Sequence, residues 1–375
     1  MEHRIVEFKA VEQSTWDSWV SQLKGASYYH TWHWLRFIGQ FHQIKNNLSF
    51  IIQDVAGKPL AVCPLAVSYL EREKVFSFSF NYHPCGAPVI TSMPRSQRRE
   101  LLNYIFSLIG KYQETYGCQQ IIMAWHPLNS LVLDHATEVG NEDSFELMRY
   151  GLFYQVDNTL VIDLNLTKEL LISNVGKYHY RHIQRGIKKG LRVEIYNNKH
   201  NPDGLRERFN EFHQAHYVAA GRETRPYATW EAMYEGLSAG KASLFIAFVN
   251  DTPISYLYCG EFSKMAFGWS QANVKEYEEE YSPRHLLEWT AILFYKENAF
   301  SYYEIGERFF GSQFFYIPSD KEISISSFKE RYGGRLFPKV KWYGYFDKDL
   351  LKTDYNQRFR ELLNCNLLVK IPEEK

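Results

Sequence analysis

Residues 159–196, TLVIDLNLTKELLISNVGKYHYRHIQRGIKKGLRVEIY, read as strand, basic helix and strand in succession. Thr159 to Leu164 is a short apolar run of strand-forming residues. Thr167 can cap a helix with Glu169 in its first turn, and Gly190 can end it. Leu191, Val193 and Ile195 then alternate with Arg192, Glu194 and Tyr196, the period of a strand. Between the caps Lys177, Arg181, Arg185 and Lys188 recur at steps of four, four and three. At about 100° per residue they fall within an arc of roughly 80°. Leu171, Val175, Tyr178, Ile183 and Ile187 lie outside that arc and supply a core-facing side, and the arc holds no acidic residue to pair at i+4. The plain reading of such a ladder is a solvated face. The sharper reading is a site for phosphates or another polyanion, with Arg181, Arg185 and Lys188 as its binding residues, because a guanidinium presents a rigid fork of donors.

The rest of the chain bounds what that helix can serve. A length of 375 residues fits two domains or one large one, with ample apolar content for cores. Lysine plus arginine equals aspartate plus glutamate, 43 each, so no global field holds nucleic acid and any anion site is local. Aromatic residues make up 17% of the chain, which fits either aromatic cores or clefts for sugars, peptides or bases. There is no run of about 18 apolar residues, and the N-terminal MEHRIVEFKAVEQ lacks a signal-peptide centre, so a soluble, cytoplasmic protein is expected. Cys63, Cys85, Cys118, Cys259 and Cys365 are scattered without a CxxC pair and read as packed thiols. His179 with His182, and His213 with His216, have helical spacing, yet no cysteine or carboxylate cluster completes a metal site. No G-x-S-x-G or Cys/His signature points to a covalent acyl-enzyme.

In order, the chain begins with a helix over residues 15–23 and an aromatic segment over 28–37, in which Thr31 can cap a helix. Trp34 and Arg36 there are candidate substrate contacts; the alternative is that the rings only pin a helix to a sheet. Strands 49–55 and 59–69 flank the turn Ala56-Gly57-Lys58, and 74–80 makes a third. The turn-rich loop 81–88 follows, with Tyr82 as a candidate substrate contact. A helix over 95–116 ends at Gly117, and 119–125 returns as a strand.

The second half repeats the plan. Helices around Phe209, Phe212 and His216 and after Thr229 precede strands 243–249 and 253–260, which flank Asn250-Asp251-Thr252. Residues 265–270 make a third strand, Ser282-Pro283 opens a helix to Asn298, and 302–305 returns as a strand. An aromatic loop over 307–318 leads to a short helix over 323–332, stopped by Gly333-Gly334. A strand over 336–346, with Pro338 at an edge or bulge, precedes a helical tail around Tyr355, Phe359 and Leu362. Hairpin, third strand, loop, helix and strand occur once in each half, which reads as two copies of one α/β unit.

That order resembles the N-acetyltransferase (GNAT) superfamily, and two copies in one chain resemble the FemAB family. The residues similar to that family include Asp163-Leu164 before the helix with Tyr180-Arg181-His182-Ile183 and Lys188-Lys189-Gly190. They also include the run from Ser282-Pro283 to Trp289, Tyr303-Glu304-Ile305-Gly306, and Phe328-Lys329-Glu330-Arg331-Tyr332-Gly333-Gly334, which looks like an FK-x-x-(F/Y)-G element. The resemblance implies an α/β fold of two tandem GNAT-like domains, each a mixed, mainly antiparallel sheet flanked by helices. The expected division is residues 1–155, residues 156–346 with the basic helix over 168–189, and a tail over 347–375. The resemblance further implies an acyl or aminoacyl transferase acting on an amine of a cell-envelope or polysaccharide precursor. In the best-known members the donor is aminoacyl-tRNA and the acceptor a peptidoglycan precursor stem peptide. No tightly bound cofactor is implied, the donor being aminoacyl-tRNA or acyl-CoA. The implied partners are a nucleotide-linked or lipid-linked envelope precursor and tRNA, with no DNA; a lipid-linked acceptor leaves peripheral membrane contact open.

Acyl-CoA enzymes of this superfamily hold pyrophosphate on a Gly-rich (Q/R)-x-x-G-x-(G/A) loop that opens the central helix. The second copy has QANVKEYEEEYSP at residues 271–283, with no glycine, four glutamates and a proline that removes a donor. The first copy has a single glycine, Gly86, in its loop, and Arg95, Arg98 and Arg99 nearby. Anion recognition is therefore expected on the basic helix. Attack by an amine on an ester or thioester requires a base, a polarised carbonyl and a proton for the leaving atom, and no metal. Glu304 or Glu307 is the expected base, Lys329 an electrostatic stabiliser and Tyr256, if inward-facing, a proton donor. The structural alternatives are a capping or salt-bridged Glu304, a surface Lys329 and an ordinary strand tyrosine. Two competing functions remain: an acyl-CoA N-acyltransferase on a sugar or small amine, and a silent domain pair that binds glycan or nucleic acid.

Overall fold

The computed structural model describes residues 3–81, 83–126, 142–314 and 316–364. Strand β1 (Arg4–Glu7) leads to helices α1 (Gln13–Gln22) and α2 (Trp32–Ile38). Thr31 caps α2, its hydroxyl accepting from Trp34 N–H at 3.3 Å. Residues 44–70 then form one hairpin that bends between two sheets. One arm is β2 (Ile44–Asn47) and β3 (Phe50–Gln53); the other is β4 (Pro59–Cys63) and β5 (Ala66–Leu70). At the bend Leu65 N–H donates to Ser49 Oγ at 3.0 Å, beside Pro64, which has no N–H for a ladder. Strands β6 (Val75–Phe78), β7 (Cys85–Gly86) and β8 (Val89–Ile90) follow. Helix α3 (Arg95–Tyr116) ends at Gly117, whose φ of 65° is the left-handed stop the sequence predicts, and β9 (Gln120–Trp125) lies parallel to β6.

The second half begins with β10 (Phe153–Asp163), which starts earlier than the apolar run at 159 suggests. It pairs with strands on both sides, so the junction expected at 155/156 lies inside a strand. Helices α4 (Lys168–Asn174) and α5 (Lys177–Lys188) replace the single basic helix expected over 168–189. The break has a packing cause: Val175 is buried in extended conformation, and Gly176 N–H leaves the helix to donate to Arg331 O at 2.8 Å. Tyr178 and Ile187, expected to face the core, are instead 52% and 51% exposed. The inner face of α5 is His179, Ile183 and Gly186.

Next come β11 (Arg192–Tyr196), α6 (Leu205–Ala220), α7 (Tyr227–Ser238), β12 (Ala242–Val249), β13 (Thr252–Phe262) and β14 (Met265–Asn273). A single turn, α8 (Glu278–Tyr281), precedes α9 (Pro283–Glu297), with proline at the first helical position. Strand β15 (Tyr302–Glu307) lies parallel to β14; α10 (Asp320–Glu330), β16 (Arg335–Tyr345) and α11 (Lys348–Leu363) complete the chain.

Each half thus has a hairpin, a third antiparallel strand, a crossover helix and a parallel strand, the repeat expected from element order. Among the described residues one sheet runs β11-β12-β13-β14-β15-β10-β16-β9-β6-β5-β2, with β7 also on β9. A second, four-stranded sheet is β1-β3-β4-β8. The halves join because β16 pairs with β10 on one side and β9 on the other. That junction brings the ends of β9 and β15 to one place.

Candidate functional site

Strands β14 and β15 pair only from Met265 with Tyr302 to Phe267 with Glu304, and beyond that they part. Ligands of α/β sheets bind where parallel strands end. Here a cavity of about 440 Å³ opens beyond the last pair, walled by Trp34 and Trp269, by the 83–86 loop, and by His126, Glu304 and Glu307. A separation of three residues would put Glu304 and Glu307 on opposite faces of a regular strand. The ladder with β10 is shifted there: Val161 faces Glu304 while Leu160 faces Gly306. This bulge turns both carboxylates to the cavity. Gly306 has φ 122°, and a Cβ there would run into Lys329 Nζ, so glycine is required on both counts.

Glu304 is held from two sides. Its Oε1 accepts from the Thr159 hydroxyl at 2.6 Å, and its Oε2 lies 2.7 Å from His126 Nε2. Burial opposes its charge, but His126, Lys339 and the Thr159 hydroxyl outweigh burial and hold the carboxyl below its ordinary range. The Tyr29 ring covers His126 at 4.5 Å between centroids. Glu307 pairs with Lys339 at 2.8 Å; against the opposing effect of burial, Lys339 and Lys341 bring its pKa down to about 2. Lys329 is depressed by burial, an effect the carboxylates of Glu288, Glu304 and Glu307 counter. Arg225 also reaches the cavity, donating to Ser270 Oγ at 2.9 Å and lying 4.2 Å over the Trp230 ring. Burial brings it down to about 10.

The sequence-predicted residues divide between this cavity and other places. Glu304, Glu307 and Trp34 line it together, and Lys329 abuts Gly306. Tyr256 instead packs in the core against Phe212, 5.9 Å between ring centroids. Arg36 points away and pairs with Glu235 at 3.5 Å. Arg181, Arg185 and Lys188 lie together on the exposed side of α5, away from the cavity wall. Tyr82 lies outside the described residues. His126, Arg225 and Lys339 were missed. The available signal for His126 was its place directly after the strand expected over 119–125; Arg225 sits in a loop with no pattern of its own. Among the described residues no cluster of histidine, cysteine, aspartate and glutamate could hold a metal, and no helix is long and apolar enough to cross a membrane.

Comparison with known proteins agrees with this architecture. Residues 175–313 match the acetyltransferase (GNAT) domain family. The crystal structure of FemX superposes with a TM-score of 0.66 at 12% identity, covering 94% of this chain and 99% of that one. The structure of L-PGS from Bacillus licheniformis gives 0.57 at 12% identity, covering 92% and 96%. The C-terminal domain of a putative lysylphosphatidylglycerol synthetase from Agrobacterium fabrum gives 0.56 at 10% identity, covering 92% and 96%. No curated protein sequence matches significantly. The chain therefore has the α/β fold of FemX, built of two GNAT-like units.

Proposed function

We propose that this chain, with a GNAT acetyltransferase match over residues 175–313 and the fold of FemX, is a FemAB-like transferase. It moves an acyl or aminoacyl group onto an amine of a cell-envelope or polysaccharide precursor. The observation that carries this reading is the buried chain Thr159–Glu304–His126 on the wall of the cavity where β14 and β15 part.

Acyl transfer to an amine needs a group that takes the amine proton as nitrogen attacks, and a proton for the leaving oxygen or sulfur. The His126 imidazole, 2.7 Å from Glu304, is the group placed to take the amine proton. Glu304 then holds the imidazolium that forms, and Thr159 fixes the carboxylate. Lys329, beside Gly306, supplies positive charge for the oxyanion of the tetrahedral intermediate. Among the described residues no carboxylate forms an ion pair with Arg225, which leaves it to meet an anionic group of the substrate.

The start of α9 favours an aminoacyl ester over acyl-CoA. Ser282 there has φ 53°, Pro283 brings no N–H, and Glu278, Glu279 and Glu280 stand in the turn before it. A diphosphate would meet repulsion where other enzymes offer amides. The acceptor is a nucleotide-linked or lipid-linked precursor, and the reaction belongs in the cytoplasm, where both kinds of donor are made. A second reading, an acyl-CoA N-acyltransferase acting on a sugar or small amine, is favoured by the acetyltransferase match itself.

The test is transfer of labelled acyl groups from charged tRNA and from acetyl-CoA to a panel of nucleotide-linked amino-bearing precursors, alongside thermal unfolding with each CoA ester. Transfer from charged tRNA without a CoA-dependent rise in melting temperature supports the first reading. A dose-dependent rise with acetyl-CoA, with transfer, selects the second. No transfer from either donor, with folded protein, removes both.

A further inference from the structure

Helix α5 packs on α9 through His179, Ile183 and Gly186, and the approach is close because a Cβ at Gly186 would come within 2.9 Å of Leu191 and 3.5 Å of Leu286. This fixes the rotation of α5. Lys177, Arg181, Arg185 and Lys188 are all turned to solvent. Just past the end of the helix Lys189 meets Glu280 at 2.9 Å, and Glu280 also faces Arg185. Rising about 1.5 Å per residue, the cationic row runs the length of the helix.

Apolar side chains stand among these cations. Ile187 is 51% exposed, Tyr180 40% and Tyr178 52%. Tyr180 and Ile187 lie two turns apart on one edge of the cationic arc, and Tyr178 lies on the other. The cations alone would suit any polyanion. A nucleic-acid strand rewards cations and a free aromatic face, but gains nothing from an exposed isoleucine. The Tyr178 ring already packs against His182 at 4.3 Å and the Arg331 guanidinium at 5.7 Å. A bilayer surface rewards both classes of side chain, phosphates drawing the cations and the acyl boundary accepting aliphatic groups and tyrosine.

We propose that the outer face of α5 docks on a membrane surface carrying anionic phospholipid. Arg181, Arg185 and Lys188 meet headgroup phosphates, and Tyr180 and Ile187 enter the boundary beneath them. Docking of this kind would hold the enzyme where lipid-linked acceptors are found. It stands apart from the transfer reading: loss of acyl transfer leaves vesicle binding intact, and loss of vesicle binding leaves transfer to soluble acceptors intact.

The test is flotation of the full chain with vesicles of phosphatidylglycerol and phosphatidylcholine against phosphatidylcholine alone, at low and high salt. The expected result is binding to the anionic vesicles that falls with salt. Arg181→Glu with Arg185→Glu should lower the bound fraction roughly tenfold or more. Ile187→Ser with Tyr180→Ser should lower it several-fold while leaving the salt dependence unchanged. All these positions are exposed, and unchanged melting temperatures would show that folding is intact. Absence of wild-type binding, equal binding to both vesicle types, or binding indifferent to the Ile187→Ser/Tyr180→Ser change would each overturn the proposal. So would a gel shift of single-stranded RNA, lost on the double charge reversal, by a chain that does not float.

Discussion

Glu304 Oε2 lies 2.7 Å from His126 Nε2, and the two residues come from corresponding strands of the two halves. His126 directly follows β9, the strand parallel to β6; Glu304 stands on β15, the strand parallel to β14. Neither half holds the pair alone. The pair forms because β16 and β10 bridge β9 to β15. Both side chains are nearly inaccessible, at 5% exposure each, yet both line the cavity. A buried carboxylate–imidazole pair is weak evidence for stability and better evidence for a site.

His126→Gln and Glu304→Gln should each lower kcat by roughly 10²–10⁴, with KM little changed, because each removes proton transfer or its support without altering the cavity's shape. The double variant should be scarcely worse than either single one, since the residues act as a unit. Steady-state kinetics on the purified variants decides the matter. Losses that multiply would mean that the two residues do not form one relay.

Arg225→Ala should raise KM for an acceptor or donor bearing phosphate and leave kcat nearly unchanged. Arg225→Lys should restore little, since an ammonium lacks the planar fork that reaches Ser270 while lying flat on Trp230. Comparing KM for substrates with and without the anionic group checks this. An equal rise for both would assign Arg225 to packing.

Gly306→Ala should cost stability of about 1–3 kcal/mol, as expected for a side chain at φ 122° in a region that glycine alone tolerates. The new Cβ would also displace the Lys329 ammonium, so kcat should fall further than Lys329→Met alone predicts from lost charge. Adding Lys329→Met to Gly306→Ala should recover part of the melting temperature, because the collision goes while the backbone strain stays. No recovery would place the whole cost in the backbone.

How much of this was legible follows residue by residue. The repeated order of elements is local information, carried by turn residues and periodicity, and it specified the two-unit fold. Glu304 and Glu307 were readable as candidates because they stand at the end of a predicted strand, around Gly306. That both face one cavity was not, because it depends on a bulge whose register is set by β10. His126 was missed because its partner lies in the other half and only the shared sheet brings them together. Arg36 has the look of a substrate contact in sequence, yet its neighbour on α7, Glu235, claims it at 3.5 Å. The rotation of α5 was misjudged because Gly186 and His179, both weak as apolar signals, make its inner face.

His285 stacks on His182 at 4.6 Å and meets His179 edge-on at 4.6 Å, and among the described residues neither of its ring nitrogens has a hydrogen-bond partner. Burial first, then the neighbouring imidazoles His179 and His182 and the Arg284 charge, push His285 down from 6.5 to about 3. Burial likewise brings His179 to about 4, although its hydrogen bond to Phe328 O works the other way. Below the unfolded value of 6.5 the unfolded chain takes up protons that the folded chain refuses, so folding stability is full above that pH and falls as the pH drops toward 4. His285→Phe keeps a ring in the stack and removes the titration. The urea midpoint of the wild type should therefore fall between pH 7 and pH 4.5, and that of His285→Phe should fall less. Glu307 acts in a lower window, because its depression from 4.5 to about 2 makes its contribution disappear only below the ordinary carboxylate range. Glu307→Gln should thus flatten the remaining acid slope without touching the loss above pH 4.5. Identical midpoint profiles for wild type and His285→Phe would show that His285 takes up no fewer protons folded than unfolded.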